Sequence, residues 1–305
     1  MLPESAKTKA LSHSLQQSLR RQRPSLLLAF LAVVAMLAGG AALWYRLSTR
    51  PLPPDPLIVA LDDIVVPGRD AELTAVFAAP RDADAGIRYQ GHELLIKRMD
   101  EQDGTTHQAS TDNRVRVPVA EARGDLPFVV QYRSPDRRQF PYEDQATLFQ
   151  WPADARVVIV DADATLFEND SGMLRPGATE ALQSMRKSGL RIVYLALGAA
   201  DAESAIPRRK ELRLLQHDQL LPVGPIMLRL HTATDSADAA RAFHLGKIAK
   251  LFHHPPVAVV GTVEEARQCR AVPGIAPLLL SDQEGLLEVP RCATWADLRR
   301  ELAAP

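Results

Sequence analysis

The sequence predicts a C-terminal α/β domain built on a parallel sheet, a β-sandwich ahead of it, and one transmembrane helix near the start. Three observations carry this. After Trp151-Pro152 short apolar runs alternate with helical stretches to the end of the chain. From Leu57 to Gln150 the pattern is instead period-two alternation broken by turn residues. From Ser25 to Tyr45 no charge occurs at all.

The apolar segment comes first in the chain. A helix over its 21 residues would be about 31 Å long, close to the hydrocarbon thickness of a bilayer. Trp44 and Tyr45 stand at its end, where interfacial aromatic residues are expected. Lys7, Lys9, Arg20, Arg21 and Arg23 precede it against Glu4 alone, while Arg46 and Arg50 follow. That asymmetry places residues 1–24 in the cytoplasm as a basic tail and the remainder outside it, a single-pass protein of a bacterial inner membrane with periplasmic domains. A cleaved signal peptide is the competing reading, since small residues at Ala38–Ala42 suit a peptidase, but the run exceeds the usual signal length. Net charge is −1, with 36 Lys+Arg against 37 Asp+Glu. This balance argues against a nucleic-acid partner. Residues 1–24 carry +4 of it, which leaves −5 for the rest.

Prolines 51, 53, 54 and 56 make residues 46–56 a stiff linker. Residues 57–151 then show alternating sets such as Leu73/Ala75/Phe77, His92/Leu94/Ile96, Val115/Val117/Val119 and Phe128/Val130/Tyr132. Six or seven short strands of this kind suggest a sandwich of immunoglobulin-like size. Residues 152–305 hold apolar runs at Val157–Val160, Ile192–Leu197, Ile226–Leu230, Val257–Val260 and Pro277–Leu280, separated by helical stretches. Five buried strands with intervening helices indicate a parallel sheet, whose ligands bind beyond the carboxyl ends of the strands.

The first of those strands runs out in VVIVDADATLF. Asp161 and Asp163 stand two apart at its end, with Thr165 two further on as a candidate substrate-binding residue. One carboxylate placed there suits attack on phosphorus and the other proton donation to a leaving group. Two close anions also call for a cation such as Mg²⁺. A polar turn that merely ends the strand is the alternative, because Asp favours turns.

VVIVDADATL resembles the first motif of the haloacid dehalogenase-like (HAD) phosphohydrolases, a hydrophobic strand followed by D-x-D-x-T. The continuation LRPGATEALQSMRKSGLRIVYL is similar to the same superfamily, and the VYL strand with GKIAKLF looks like its lipin-like phosphatase domains. The resemblance covers roughly Arg156 to Leu280 and implies a Rossmann-like HAD fold. It implies Asp161 as the nucleophile of an aspartyl-phosphate and Asp163 as general acid/base. It also implies a Lys on the helix before the fourth strand, where Lys247 and Lys250 occur; Lys247 fits the family pattern better. An exposed helix face is the other account of these two lysines.

Two motifs depart from the family. The second strand should end in Thr or Ser, and Ala196 stands there, leaving the backbone N–H groups of Leu197 and Gly198 to bind a phosphoryl oxygen. The loop after the fourth strand should be acidic, and reads Gly261-Thr262-Val263-Glu264-Glu265-Ala266. Glu265 is the candidate third metal ligand beside Asp161 and Asp163, although the Glu pair also suits the helix dipole. Only Leu166 to Leu174 separate the first motif from Arg175-Pro176, too few for a large cap, so the site is expected to be open unless the sandwich covers it.

Other candidates weigh less. His253-His254-Pro255-Pro256 reads as a loop, and His92 and His107 have no spaced partners. Cys269 and Cys292 stand as either a disulfide or two separate thiols. Two functions follow: a membrane-anchored, Mg²⁺-dependent phosphohydrolase acting on a phosphorylated substrate, or a catalytically impaired HAD-like domain that binds or scaffolds an envelope protein.

Overall fold

The computed structural model describes residues 31–45, 56–80, 88–119, 124–133, 142–168, 172–231, 236–281 and 289–303. It divides into two units, Met1–Pro53 and Pro54–Pro305.

In the first unit, residues 31–45 form a helix, α1. Among the described residues no helix is long and apolar enough to cross a membrane. The expectation of a transmembrane helix over Ser25–Tyr45 is corrected by this finding; residues 25–30 of that segment, the basic tail and most of the proline linker lie outside the described residues.

The second unit begins with eight strands: β1 (Leu57–Leu61), β2 (Asp63–Val65), β3 (Ala71–Ala78), β4 (Glu93–Arg98), β5 (Thr105–Gln108), β6 (Arg114–Val119), β7 (Leu126–Arg133) and β8 (Glu143–Gln150). They form a three-stranded sheet in the order β1-β3-β6 and a five-stranded sheet in the order β2-β8-β7-β4-β5. Pairing is antiparallel except between β2 and β8. The period-two residues face one another across the gap: Leu73, Ala75 and Phe77 from one sheet meet Leu94, Ile96, Phe128, Val130 and Tyr132 from the other in a single buried cluster. The chain changes sheets between β1 and β2 at Asp62, which is only 3% exposed.

Six strands follow: β9 (Val157–Asp161), β10 (Arg191–Ala196), β11 (Ile226–Leu228), β12 (Val257–Val260), β13 (Ala276–Leu280) and β14 (Arg291–Cys292). All pair in parallel, in the order β11-β10-β9-β12-β13-β14. The strand order 3-2-1-4-5-6 is that of a doubly wound nucleotide-binding sheet. Helices α2 (Ala178–Lys187), α3 (Ala202–His217), α4 (Ala237–Ala249) and α5 (Val263–Arg270) connect successive strands from β9 to β13, α6 (Trp295–Ala303) follows β14, and together they cover both faces. Val158 and Val160 point into one apolar cluster and Val157 and Ile159 into another, so β9 is buried on both sides.

The sandwich and the α/β half share these interiors. Val59, Leu61 and Val76 join the first cluster, and Ile64, Val66, Phe149 and Trp151 join the second. Polar contacts reinforce the junction. Arg209 of α3, 1% exposed, donates to the carbonyl of Ala60 and to the carboxylate of Asp144. Asp62 accepts from Thr147 N and Arg213 Nη2, both at 2.9 Å, and from Ile226 N at 3.2 Å. The sandwich is therefore seated against α3, α4 and β11.

Candidate active site

β9 carries Asp161 as its last residue because the apolar run Val157–Val160 ends there, at the carboxyl edge of the sheet. Its neighbours β10 and β12 leave in opposite directions from this strand, which makes its end the topological switch point. The chain then turns through a π-helical turn, Ala162–Leu166. Ala164 N donates to Asp161 Oδ1 at 3.1 Å, and Thr165 Oγ1 donates to the Asp161 carbonyl at 2.5 Å. Thr165 is fully buried and its own carbonyl accepts from Trp295 Nε1 at 3.3 Å, so its role in this structure is to hold the turn.

Asp161 is 3% exposed, and its second oxygen is taken. Arg241 Nη2, from α4, donates to Asp161 Oδ2 at 2.8 Å and to Glu265 Oε1 at 2.9 Å. Arg241 Nη1 donates to Gln268 Oε1 at 2.8 Å and to Asp238 Oδ1 at 3.3 Å. Burial, and then the charge of Glu265, push the Asp161 carboxyl up to about 6; Arg241 opposes this without cancelling it, because two carboxylates share one guanidinium. Burial alone would lower Arg241, yet Asp161 and Glu265 outweigh it and hold the guanidinium above its ordinary value. Burial likewise pushes the Cys269 thiol behind this group up to about 12.

Asp163 faces another way. Its Oδ2 accepts from Gly198 N at 2.8 Å and its Oδ1 from Arg208 Nε at 2.9 Å. Arg208 lies over the Phe167 ring at 3.7 Å and donates to Glu211 at 2.7 Å. The Gly198 N–H expected to receive a phosphoryl oxygen thus holds a side chain of the same protein. Leu197, the other expected donor position, is buried in the second apolar cluster. Ala196 ends β10 without a hydroxyl to offer.

Glu265 is similarly engaged. Its Oε2 accepts from Gly261 N and Thr262 N, each at 3.1 Å, and Thr262 Oγ1 accepts from Glu265 N at 3.2 Å, a capping box at the start of α5. The loop before it is close to the π-turn: a Cβ on Gly261 would lie 2.7 Å from the carbonyl of Ala164. The three carboxylates Asp161, Asp163 and Glu265 as placed do not fit Mg²⁺, which takes six oxygens in near-octahedral array. The cation between Asp161 and Glu265 is a guanidinium, and Asp163 points to Gly198 and Arg208. No group of three or more His, Cys, Asp or Glu among the described residues is placed to hold a metal ion.

Lys247 is elsewhere. Its Nζ donates to both oxygens of Asp63, at 2.7 and 2.6 Å. It follows Arg241 by six residues, roughly 240° around the helix at about 100° per residue, so the two cations leave α4 on different faces. Arg241 and Arg208 are the site residues that motif matching passes over. Arg241 did leave a signal: with His244 it falls on the stripe Ala240, Leu245, Ile248 that α4 buries. A guanidinium on a buried stripe needs anionic partners. A cavity of about 930 Å³ opens between the sandwich and α4, lined by residues including Asp63, Arg69, Arg114, Phe243 and Lys247; neither Asp161 nor Asp163 lines it. His253 and His254 are exposed, and Cys269 and Cys292 are both free.

No family model matches the chain and no curated protein matches it. Among solved structures, a D,D-heptose 1,7-bisphosphate phosphatase from Burkholderia thailandensis is similar at 15% identity, over 49% of this chain and 99% of that chain, with a TM-score of 0.36. An uncharacterized protein from Listeria monocytogenes serotype 4b is similar at 17% identity, over 48% of this chain and 96% of that one, with a TM-score of 0.33. At these scores the likeness adds nothing to what the strand order already states.

Proposed function

We propose that the α/β half is a HAD-like fold in non-catalytic use, and that the chain serves as a binding or scaffolding module in which sandwich and α/β half act as one body. One contact supports this above all: Arg241 Nη2 lies 2.8 Å from Asp161 Oδ2, on a carboxylate only 3% exposed. A nucleophile must reach its electrophile along an open line, and Asp161 has its two oxygens on Ala164 N and on a guanidinium. Asp163, the expected proton donor, is held by Arg208 and Gly198. The hydroxyl at the end of β10 and the Asp positions after β12 are absent from the sequence itself.

A second reading is a phosphohydrolase, favoured by the position of Asp161 at the switch point with Asp163 two residues on. It requires Arg241 to leave Asp161. Hydrolysis of p-nitrophenyl phosphate in Mg²⁺ by the full chain, beside Asp161→Asn, decides between them. The non-catalytic reading expects equal, background rates. Turnover by the native chain that Asp161→Asn abolishes replaces it with the phosphohydrolase.

A further inference from the structure

Two carboxylates that converge at the end of a buried strand need a cation, and the fold can take it from solution or supply it. Around the Arg241 head the oxygens are Asp161 Oδ2, Glu265 Oε1, Gln268 Oε1 and Asp238 Oδ1, at 2.8, 2.9, 2.8 and 3.3 Å from its two terminal nitrogens. All are hard oxygen donors, the type that divalent cations such as Mg²⁺, Mn²⁺ and Ca²⁺ prefer. Three of the four come from carboxylates, against a single guanidinium charge. The fit to guanidinium is also incomplete: Arg241 Nε is buried and meets no acceptor among the described residues. The cradle thus gives one oxygen to each of the four terminal N–H groups and none to the Nε–H.

We propose that Arg241 is a tethered substitute for a divalent cation, so that the switch-point crevice is a metal site closed by the protein's own side chain. With Arg241 in place it takes no divalent ion; without that side chain, Asp161, Glu265 and Gln268 form a site that does. The inference deepens the non-catalytic reading and rests on it, since it supplies the reason why the carboxylates persist without metal chemistry. They hold β9, α4 and α5 together through a cation that needs no supply from solution.

The test uses the full chain, Mn²⁺ alone as probe, and three variants: Arg241→Ala, Arg241→Ala with Glu265→Gln, and Asp161→Asn. Loss of the free-Mn²⁺ electron paramagnetic resonance signal reports binding, and thermal unfolding with and without Mn²⁺ reports coupling to the fold. The expected result is one Mn²⁺ per chain in Arg241→Ala, bound about 10-fold or more tighter than by the native chain, with a Mn²⁺-dependent rise in melting temperature that Glu265→Gln removes. Where Arg241→Ala unfolds without metal, millimolar Mn²⁺ is expected to restore its fold. The proposal is overturned by Mn²⁺ binding to the native chain that Asp161→Asn abolishes. It is equally overturned by an Arg241→Ala chain that gains no binding, or that stays unfolded with and without the ion. Phosphatase turnover by the native chain would sink the non-catalytic reading and leave this Mn²⁺ comparison to be read separately.

Discussion

Lys247 and Asp63 form a two-oxygen ion pair across the junction of the molecule, with Nζ at 2.7 and 2.6 Å from the carboxylate oxygens. One partner is carried by α4 and the other begins β2, 184 residues earlier in the chain. The lysine that resembles a family's phosphate-neutralising residue is thus spent on joining the sandwich to the α/β half. The cation that meets Asp161 is Arg241, which leaves the same helix from another face.

Replacing Lys247 by Met should therefore cost little. Its side chain is 39% exposed and that of Asp63 22% exposed, so solvent screens much of the attraction. Exposed pairs of this kind contribute about 0.2–1 kcal/mol, and the lower part of that range is expected here. Urea unfolding measures it. A loss several times larger would mean that Lys247 carries more than the Asp63 contact.

Arg209 should behave in the opposite way. Its guanidinium is 1% exposed and serves the Ala60 carbonyl and the Asp144 carboxylate, which also accepts from Ala60 N at 2.8 Å. Arg209→Met leaves a nearly buried Asp144 without its cation, a change that costs about 3–5 kcal/mol. Because Val59 and Leu61 of β1 belong to the same cluster as Val158 and Ile192, unfolding of Pro54–Pro305 should remain one transition, shifted to lower urea. Two separate transitions in the native chain would contradict the shared interior.

What was legible in the sequence was local. The run Val157–Val160 reads as a buried strand because both faces of a parallel sheet are covered, and the helical stretch expected after it is α2. Asp161 and Asp163 were visible because they interrupt an apolar run. Their partners were not, because Arg241 lies 80 residues away and meets Asp161 only once α4 docks in a particular rotation. Lys247 matches the family pattern through its neighbours Ile248 and Ala249, a local likeness blind to helix phase. β14 has two residues, too few for any alternation to show. Hydropathy marks Ser25–Tyr45 as one apolar run, but no helix among the described residues is long and apolar enough to cross a membrane. The sandwich was legible as alternation, but Asp62 was not marked out, since its demand for Arg213 and Ile226 N appears only after both halves are assembled.

Gly261 tests how tightly the switch point is shut. A methyl group there would lie 2.7 Å from Ala164 O and 3.0 Å from Ala164 Cβ, both part of the π-turn. Backbone cannot yield as a flexible side chain does, so Gly261→Ala should push the loop before α5 away from the turn. Overpacking of this kind costs about 1–3 kcal/mol. Amide hydrogen exchange should speed up at the first turn of α5 and in Ala162–Leu166 together. An unchanged exchange pattern with unchanged stability would mean that the two segments are not in contact in solution.

The pH dependence of stability separates Asp161 from the other carboxylates. Its folded value, about 6, lies above its ordinary 3.8. The folded state therefore binds this proton more tightly than the unfolded chain does. The resulting stabilisation is complete below about pH 4 and is lost as pH rises through about 6. At neutral pH the native protein carries the cost of an ionised, buried Asp161, on the order of 2–3 kcal/mol at 1.36 kcal/mol per unit. Asn keeps the shape and cannot ionise, so Asp161→Asn lacks this dependence. The stability of Asp161→Asn relative to the native chain, from urea unfolding at a series of pH values, should rise by that amount between pH 4 and 7.5. A flat difference would place the Asp161 carboxyl near its ordinary range, and with it the burial and the shared guanidinium that set it. A falling difference would mean that Arg241 stabilises the ionised form more than burial and Glu265 oppose it.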